Sequence, residues 1–176
     1  IRDRTLGSAN PANGDDAFQR IIKEKHDANI MFLIQQANVR ASELKTAKEF
    51  GKEVKNIDEA ENKKISNIEI SAYASPDGGV KLNTTLAENR EKNTVNYMKK
   101  SLKKGKIDAD MTAEFTAQDW EGFKELVSAS DIKDKDLILQ VLAMYDNPVK
   151  RDEEIKNMTS VFDVLAKEIL PQLRRT

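Results

Sequence analysis

Residues 65–105, ISNIEISAYASPDGGVKLNTTLAENREKNTVNYMKKSLKKG, restrict the fold more than any other stretch of the chain. Ile68, Ile70 and Ala72 alternate with Glu69, Ser71 and Tyr73, so Ile65–Ala74 is expected as a strand with one apolar face. The strand breaks at Ser75-Pro76-Asp77-Gly78-Gly79. A helix follows to about Lys104, with Leu82, Leu86, Val95, Met98 and Leu102 as its expected buried side. A basic last turn suits the helix dipole, and Gly105 is expected to close the helix as the residue just past its end.

Other segments are placed around this unit. Residues 1–16, rich in Gly, Pro, Asn and Asp, read as a linker or extended arm. Residues 17–26 fit either a strand or a short helix. The continuous apolar run Asn29–Gln36 predicts a strand buried on both faces. Leu44, Ala47, Phe50, Val54 and Ile57 predict a helix over 42–57, with Ser42 as its N-cap. Lys106–Phe115 alternates weakly, as a third strand. Helices are then expected after Asp119, over Leu137–Tyr145 with Asp134 or Asp136 as cap, over 149–157, and through Val161, Leu165, Ile169 and Leu173, with Pro171 bending or ending the last. Strand, helix, strand, helix, strand and then several helices implies α+β or α/β, with a small sheet covered by helices. A further partner strand is expected after Arg174-Arg175-Thr176.

Composition narrows the function classes. The length of 176 residues suits one domain, with an attached helical piece. There is no cysteine and His26 is the single histidine, which removes disulfides, thiolate metal sites and most zinc or Ser-His-Asp schemes. The 29 basic and 30 acidic residues give a net charge of −1, so the whole chain has no pull toward nucleic acid or an anionic membrane. No apolar run reaches membrane-spanning length. The first residues, Ile1-Arg2-Asp3-Arg4, carry neither methionine nor signal peptide and read as a mature form or a piece of a longer protein. No nucleophile–base pair, phosphate loop or catalytic carboxylate pair is found, so neither an enzyme nor a cofactor is expected.

The Ser75–Gly79 break has the chemistry of a small-ligand site. A strand that stops there and feeds a helix leaves backbone N–H groups unpaired, and glycines let a ligand come close. The helix start favours a carboxylate. Asn83 and Arg90, seven residues apart, share a helix face. Arg90 suits a carboxylate in bidentate mode and Ser75 or Asp77 an amine, which together describe a zwitterion. The plainer reading is a turn whose Asp or Asn only caps the helix.

The string ASPDG, four residues, then Asn83, Leu86, Ala87 and Arg90 resembles the OmpA-like C-terminal domain of Gram-negative envelope proteins. That family's pattern runs Thr-Asp-x-x-Gly, then Tyr-Asn-x-x-Leu-Ser-x-x-Arg-Ala. Gly78, Asn83, Leu86, Ala87 and Arg90 fall on its glycine, asparagine, leucine, serine and arginine without a gap, Leu82 replaces its tyrosine, and Ser75 stands where it keeps its aspartate. Ile30–Gln36 followed by Asn38–Leu44 is similar to the family's first strand and the start of its first helix.

The resemblance spans about residues 28–116. It implies an α+β, OmpA-like βαβαβ two-layer sandwich over 17–116, with a helical insertion over 117–176 and a final strand missing from the chain. It also implies a noncatalytic module on the periplasmic side of the outer membrane, within a lipoprotein or other envelope protein, that binds a peptidoglycan stem peptide. Ser75, Asp77, Gly78, Asn83 and Arg90 are its implied contacts, with Asn38 secondary. The alternative is a degenerate OmpA-like domain whose helical part docks envelope protein partners. Neither nucleic acid nor a membrane span is expected.

Other features read as ordinary structure. Lys99, Lys100, Lys103, Lys104 and Lys106 form a solvated helix end, and Trp120, Phe123 and Leu126 an apolar core face. Asp131, Asp134 and Asp136 lack the glycine and glutamate of a calcium loop and read as caps.

Overall fold

The computed structural model describes residues 21–176, so the expected linker over 1–16 and the start of the 17–26 segment lie outside the described residues. Among those described, the chain is a mixed α+β protein with six helices and a two-stranded parallel sheet. Strand β1 (Ile68–Tyr73) pairs with β2 (Met111–Thr116) in register from Ile68 opposite Met111 to Tyr73 opposite Thr116. The long helix α2 (Val80–Gly105) makes the crossover and packs on both strands. Helix α1 (Leu44–Asp58) lies against α2.

The alternation in β1 holds. Ile68, Ile70 and Ala72 are buried, and the first two join Val54 of α1 and Met98 and Leu102 of α2 in one cluster. The close approach of the helices needs a small residue at Gly51, because a Cβ there would stand 2.9 Å from the Ser101 hydroxyl. Strand β2 is largely exposed, which fits the weak apolar signal of its sequence.

Four expectations change. Asn29–Gln36 is not a continuous strand. Ile30 and Phe32 are buried and Met31 bridges Arg175, but Leu33–Gln36 turn away, with Gln35 at a left-handed φ of 55°. Apolar content misled here, because Leu33 and Ile34 are exposed. Ser42 does not cap α1. Glu43 occupies that position, and its carboxylate instead accepts from the Met31 N–H, Arg40 and Ser42. The left-handed residue closing α2 is Lys106, at φ 58°, while Gly105 is still helical. A Cβ at Gly105 would crowd Ile107, whose side chain folds back to within 3.0 Å of that place. Finally, α2 buries Asn83, Ala87, Arg90 and Thr94 in its first half, while Leu82 stays half exposed.

Beyond β2, helices α3 (Trp120–Ala129), α4 (Lys135–Met144), α5 (Pro148–Asn157) and α6 (Thr159–Glu168) and a 3-10 turn (Leu170–Leu173) enclose a core of their own. Phe123, Val127, Ile138, Leu165 and Leu173 are essentially inaccessible there. Trp120 packs edge-on against Phe123, with ring centroids 5.7 Å apart, so these aromatics belong to the interior. Asp119 caps α3 by accepting the Gly122 N–H, and Asn147 caps α5. The Asp134 side chain makes no capping bond to α4.

The last three residues leave this helical block and return to the sheet. The Ile30 N–H donates to the Thr176 carbonyl, the Phe32 N–H to Arg174 and the Tyr73 N–H to Arg175. Arg174–Thr176 therefore lies between the Ile30–Phe32 segment and the end of β1, so the expected boundary at 117 gives a helical block whose tail belongs to the sheet. No helix among the described residues is long and apolar enough to cross a membrane.

Candidate functional site

The turn after β1 is built from its backbone outward. Pro76 is fully buried and Gly78 has φ 112°, a conformation that L side chains rarely adopt. Two amides hold the turn from opposite sides. Asn83 donates from Nδ2 to the carbonyls of Ser75 (3.0 Å) and Asp77 (3.4 Å), and Gln118 donates from Nε2 to those of Pro76 (3.3 Å) and Gly78 (3.2 Å). The first residue before α2, Gly79, carries no side-chain cap, so the turn is tied to α2 through Asn83.

Ser75, Asp77, Gly78, Asn83 and Arg90 all line one cavity of about 180 Å³, open on one side. Its apolar wall includes Ile34, Leu82, Leu86 and Phe162, and Lys156 and Arg174 add positive charge. Asn38 is exposed and lies outside this lining. Asn83 and Arg90 share the buried face that their spacing predicts.

Arg90 is 1% exposed. Its guanidinium donates to three backbone carbonyls: Nη1 to Tyr73 (2.7 Å), Nε to Gln36 (3.0 Å) and Nη2 to Leu33 (3.4 Å). It also sits over the Phe32 ring at 5.1 Å. It thus joins the Leu33–Gln36 turn to the end of β1. No carboxylate lies within ion-pair distance of it among the described residues. Burial, and next the nearby Arg174 charge, push its pKa down to about 10, partly opposed by Asp77. It stays charged at neutral pH.

Sequence reasoning missed Arg174. Its Nε donates to the Ser75 hydroxyl at 3.2 Å, and Nη2 stands 3.6 Å from Asp77 Oδ2. Asp77 Oδ1 is buried and has no hydrogen-bond partner among the described residues. The neighbouring Arg175 points to the other side, where Nη1 bonds Asp119 Oδ2 at 2.8 Å and the guanidinium covers the Tyr73 ring at 4.3 Å. Two adjacent arginines on an extended segment address opposite faces, a signal present in the sequence LPQLRRT. What the sequence lacked was the location of that segment beside β1.

The cavity therefore carries Arg90, Arg174 and Lys156 against one nearby acid, Asp77, although Lys156 also pairs with Asp152 at 2.6 Å. Such a floor suits an anionic group with an aliphatic stem. Elsewhere, His26 bonds Glu53 at 2.7 Å near the surface, and no group of three His, Cys, Asp or Glu suited to a metal occurs among the described residues. A larger, shallow groove runs between α3, the α3–α4 loop and α6, with Asp131 and Asp134 at its edge.

Comparison with family models, curated proteins and solved structures yields no match to this chain.

Proposed function

We propose that this chain is a noncatalytic binding module of a Gram-negative cell envelope protein, one that holds a peptidoglycan stem peptide noncovalently on the periplasmic side of the outer membrane. The observation that carries this reading is the convergence of Ser75, Asp77, Gly78, Asn83 and Arg90 on one open cavity. The register match of the turn and helix with the OmpA-like pattern supplies the ligand class. The strand order Ile30–Phe32, Arg174–Thr176, β1, β2, with α1 and α2 on the Ile68–Ile70 face, supports an OmpA-like two-layer frame.

The test is retention on insoluble peptidoglycan. Wild-type protein is expected to sediment with purified sacculi. Asp77→Asn, which keeps the shape of the turn and removes its charge, is expected to be retained about tenfold less, because a charge-assisted hydrogen bond is worth about 1.5–3 kcal/mol. Wild-type protein that stays in the supernatant would sink the proposal.

A second reading has its own support. Leu137 and Met144 of α4 and Val149 of α5 are exposed at 48%, 71% and 55%, and the latter two flank one turn. This favours a surface of the helical block that docks an envelope protein partner, with the cavity no longer holding cell wall.

A further inference from the structure

We infer that Arg174, and not Arg90, receives the ligand's carboxylate in this cavity. The inference rests on the reading of the cavity as a stem-peptide site and changes which residue does the recognition.

The two arginines differ in what their donors already do. Arg90 donates from all three of its nitrogens to backbone carbonyls and is closed to solvent, so it builds the wall of the cavity. Among the described residues Arg174 makes one side-chain hydrogen bond, from Nε to Ser75 Oγ. Its Nη2 is 3.6 Å from Asp77 Oδ2, beyond good hydrogen-bonding distance. Neither Nη group has a hydrogen-bond acceptor among the described residues, yet the side chain is about nine-tenths buried and lines the cavity. A guanidinium fixed at Nε, with Nη2 in only a loose 3.6 Å ion pair with Asp77 and Nη1 without an acceptor among the described residues, is arranged for contact with a further planar carboxylate.

Charge argues the same way. Arg174 is close enough to disfavour the charge on Arg90, and the single nearby carboxylate, Asp77, only partly opposes this. An entering carboxylate supplies the missing negative charge in a partly desolvated place. The volume of about 180 Å³ suits a single side chain. Ile34, Leu82 and Phe162 receive its aliphatic stem.

This arrangement also accounts for Ser75. An aspartate at 75 would lie against Arg174 as a second carboxylate, after Asp77 at 3.6 Å, and cancel the remaining positive charge of the site. A serine holds Arg174 in place through a neutral acceptor and leaves its charge available.

The experiment is calorimetric titration with two soluble probes, a stem tripeptide ending in diaminopimelate and the same tripeptide with its diaminopimelate carboxylates amidated. Wild type is expected to bind the free acid at least tenfold more tightly than the amide. Arg174→Gln is expected to lose that preference and Arg174→Lys to keep part of it. Ser75→Asp is expected to weaken the free acid while leaving the amide unchanged. Circular dichroism and thermal melting accompany each variant. Equal wild-type affinity for acid and amide overturns the inference without any variant. So does a folded Arg174→Gln protein that keeps the preference, and in both cases stem-peptide binding itself stands. A wild-type protein that binds neither probe overturns the stem-peptide reading and the inference with it.

Discussion

Arg90 shows what a single position gives up in sequence and what it conceals. Its spacing from Asn83 predicts a shared face, and the two residues do line one cavity. The apolar positions used to orient the helix say nothing about burial of a charged residue, so its three carbonyl bonds were not legible. Arg90→Lys is expected to destabilise the protein by roughly 3 kcal/mol, because one ammonium cannot reach three carbonyls spread over two segments. The shift in urea midpoint measures this, and an unchanged midpoint would contradict the wall-building role. The pH dependence has a definite sign. With a folded-state pKa near 10, well below the ordinary arginine range, the buried charge costs stability at neutral pH, and that cost is relieved only as pH rises through about 10. Between pH 6 and 8 this group is therefore expected to contribute no slope to the unfolding free energy.

At the scale of elements, period and punctuation located most helices to within a few residues, and β1 by its alternation. The failures have physical causes. In Asn29–Gln36, pairing is available only to Ile30–Phe32, and the remaining apolar residues follow the turn that Arg90 holds. At the end of α2, the glycine and the left-handed residue are different positions. Lys106→Gly is accordingly expected to raise stability by about 0.5–1 kcal/mol, since glycine adopts positive φ without the Cβ penalty. Thermal unfolding checks it, and a lowered melting temperature would show that the lysine side chain matters more than its backbone. The contact between α1 and α2 allows a paired test. Gly51→Ala gains helix propensity of up to ~1 kcal/mol but crowds the Ser101 hydroxyl. Adding Ser101→Ala is expected to release that gain, so the double variant should melt above both the wild type and Gly51→Ala alone.

At the scale of the molecule, the helical block and the sheet are fastened by Asp119, which caps α3 and pairs with Arg175. Asp119→Ala is expected to cost about 2–3 kcal/mol through loss of cap and ion pair together, and Asp119→Asn, which retains a capping oxygen, clearly less. Equal losses in the two variants would assign the whole effect to the ion pair. The sequence made a mixed α+β protein with a helical second half legible, because those features depend on local patterning. It did not disclose that the last residues run back beside β1, because pairing between distant segments leaves no local mark. That return has a kinetic consequence. Contacts joining positions 30 and 176 close the longest loop described here, whereas the helices of the block contact their sequence neighbours. The single tryptophan, Trp120, lies within that block and serves as its natural fluorophore. Refolding should therefore run in two stages, with tryptophan emission settling first and the amides of Ile30 and Phe32 gaining protection from exchange only afterwards. Until that second stage the cavity has no complete floor, because Arg174 reaches its place beside Ser75 and Asp77 last.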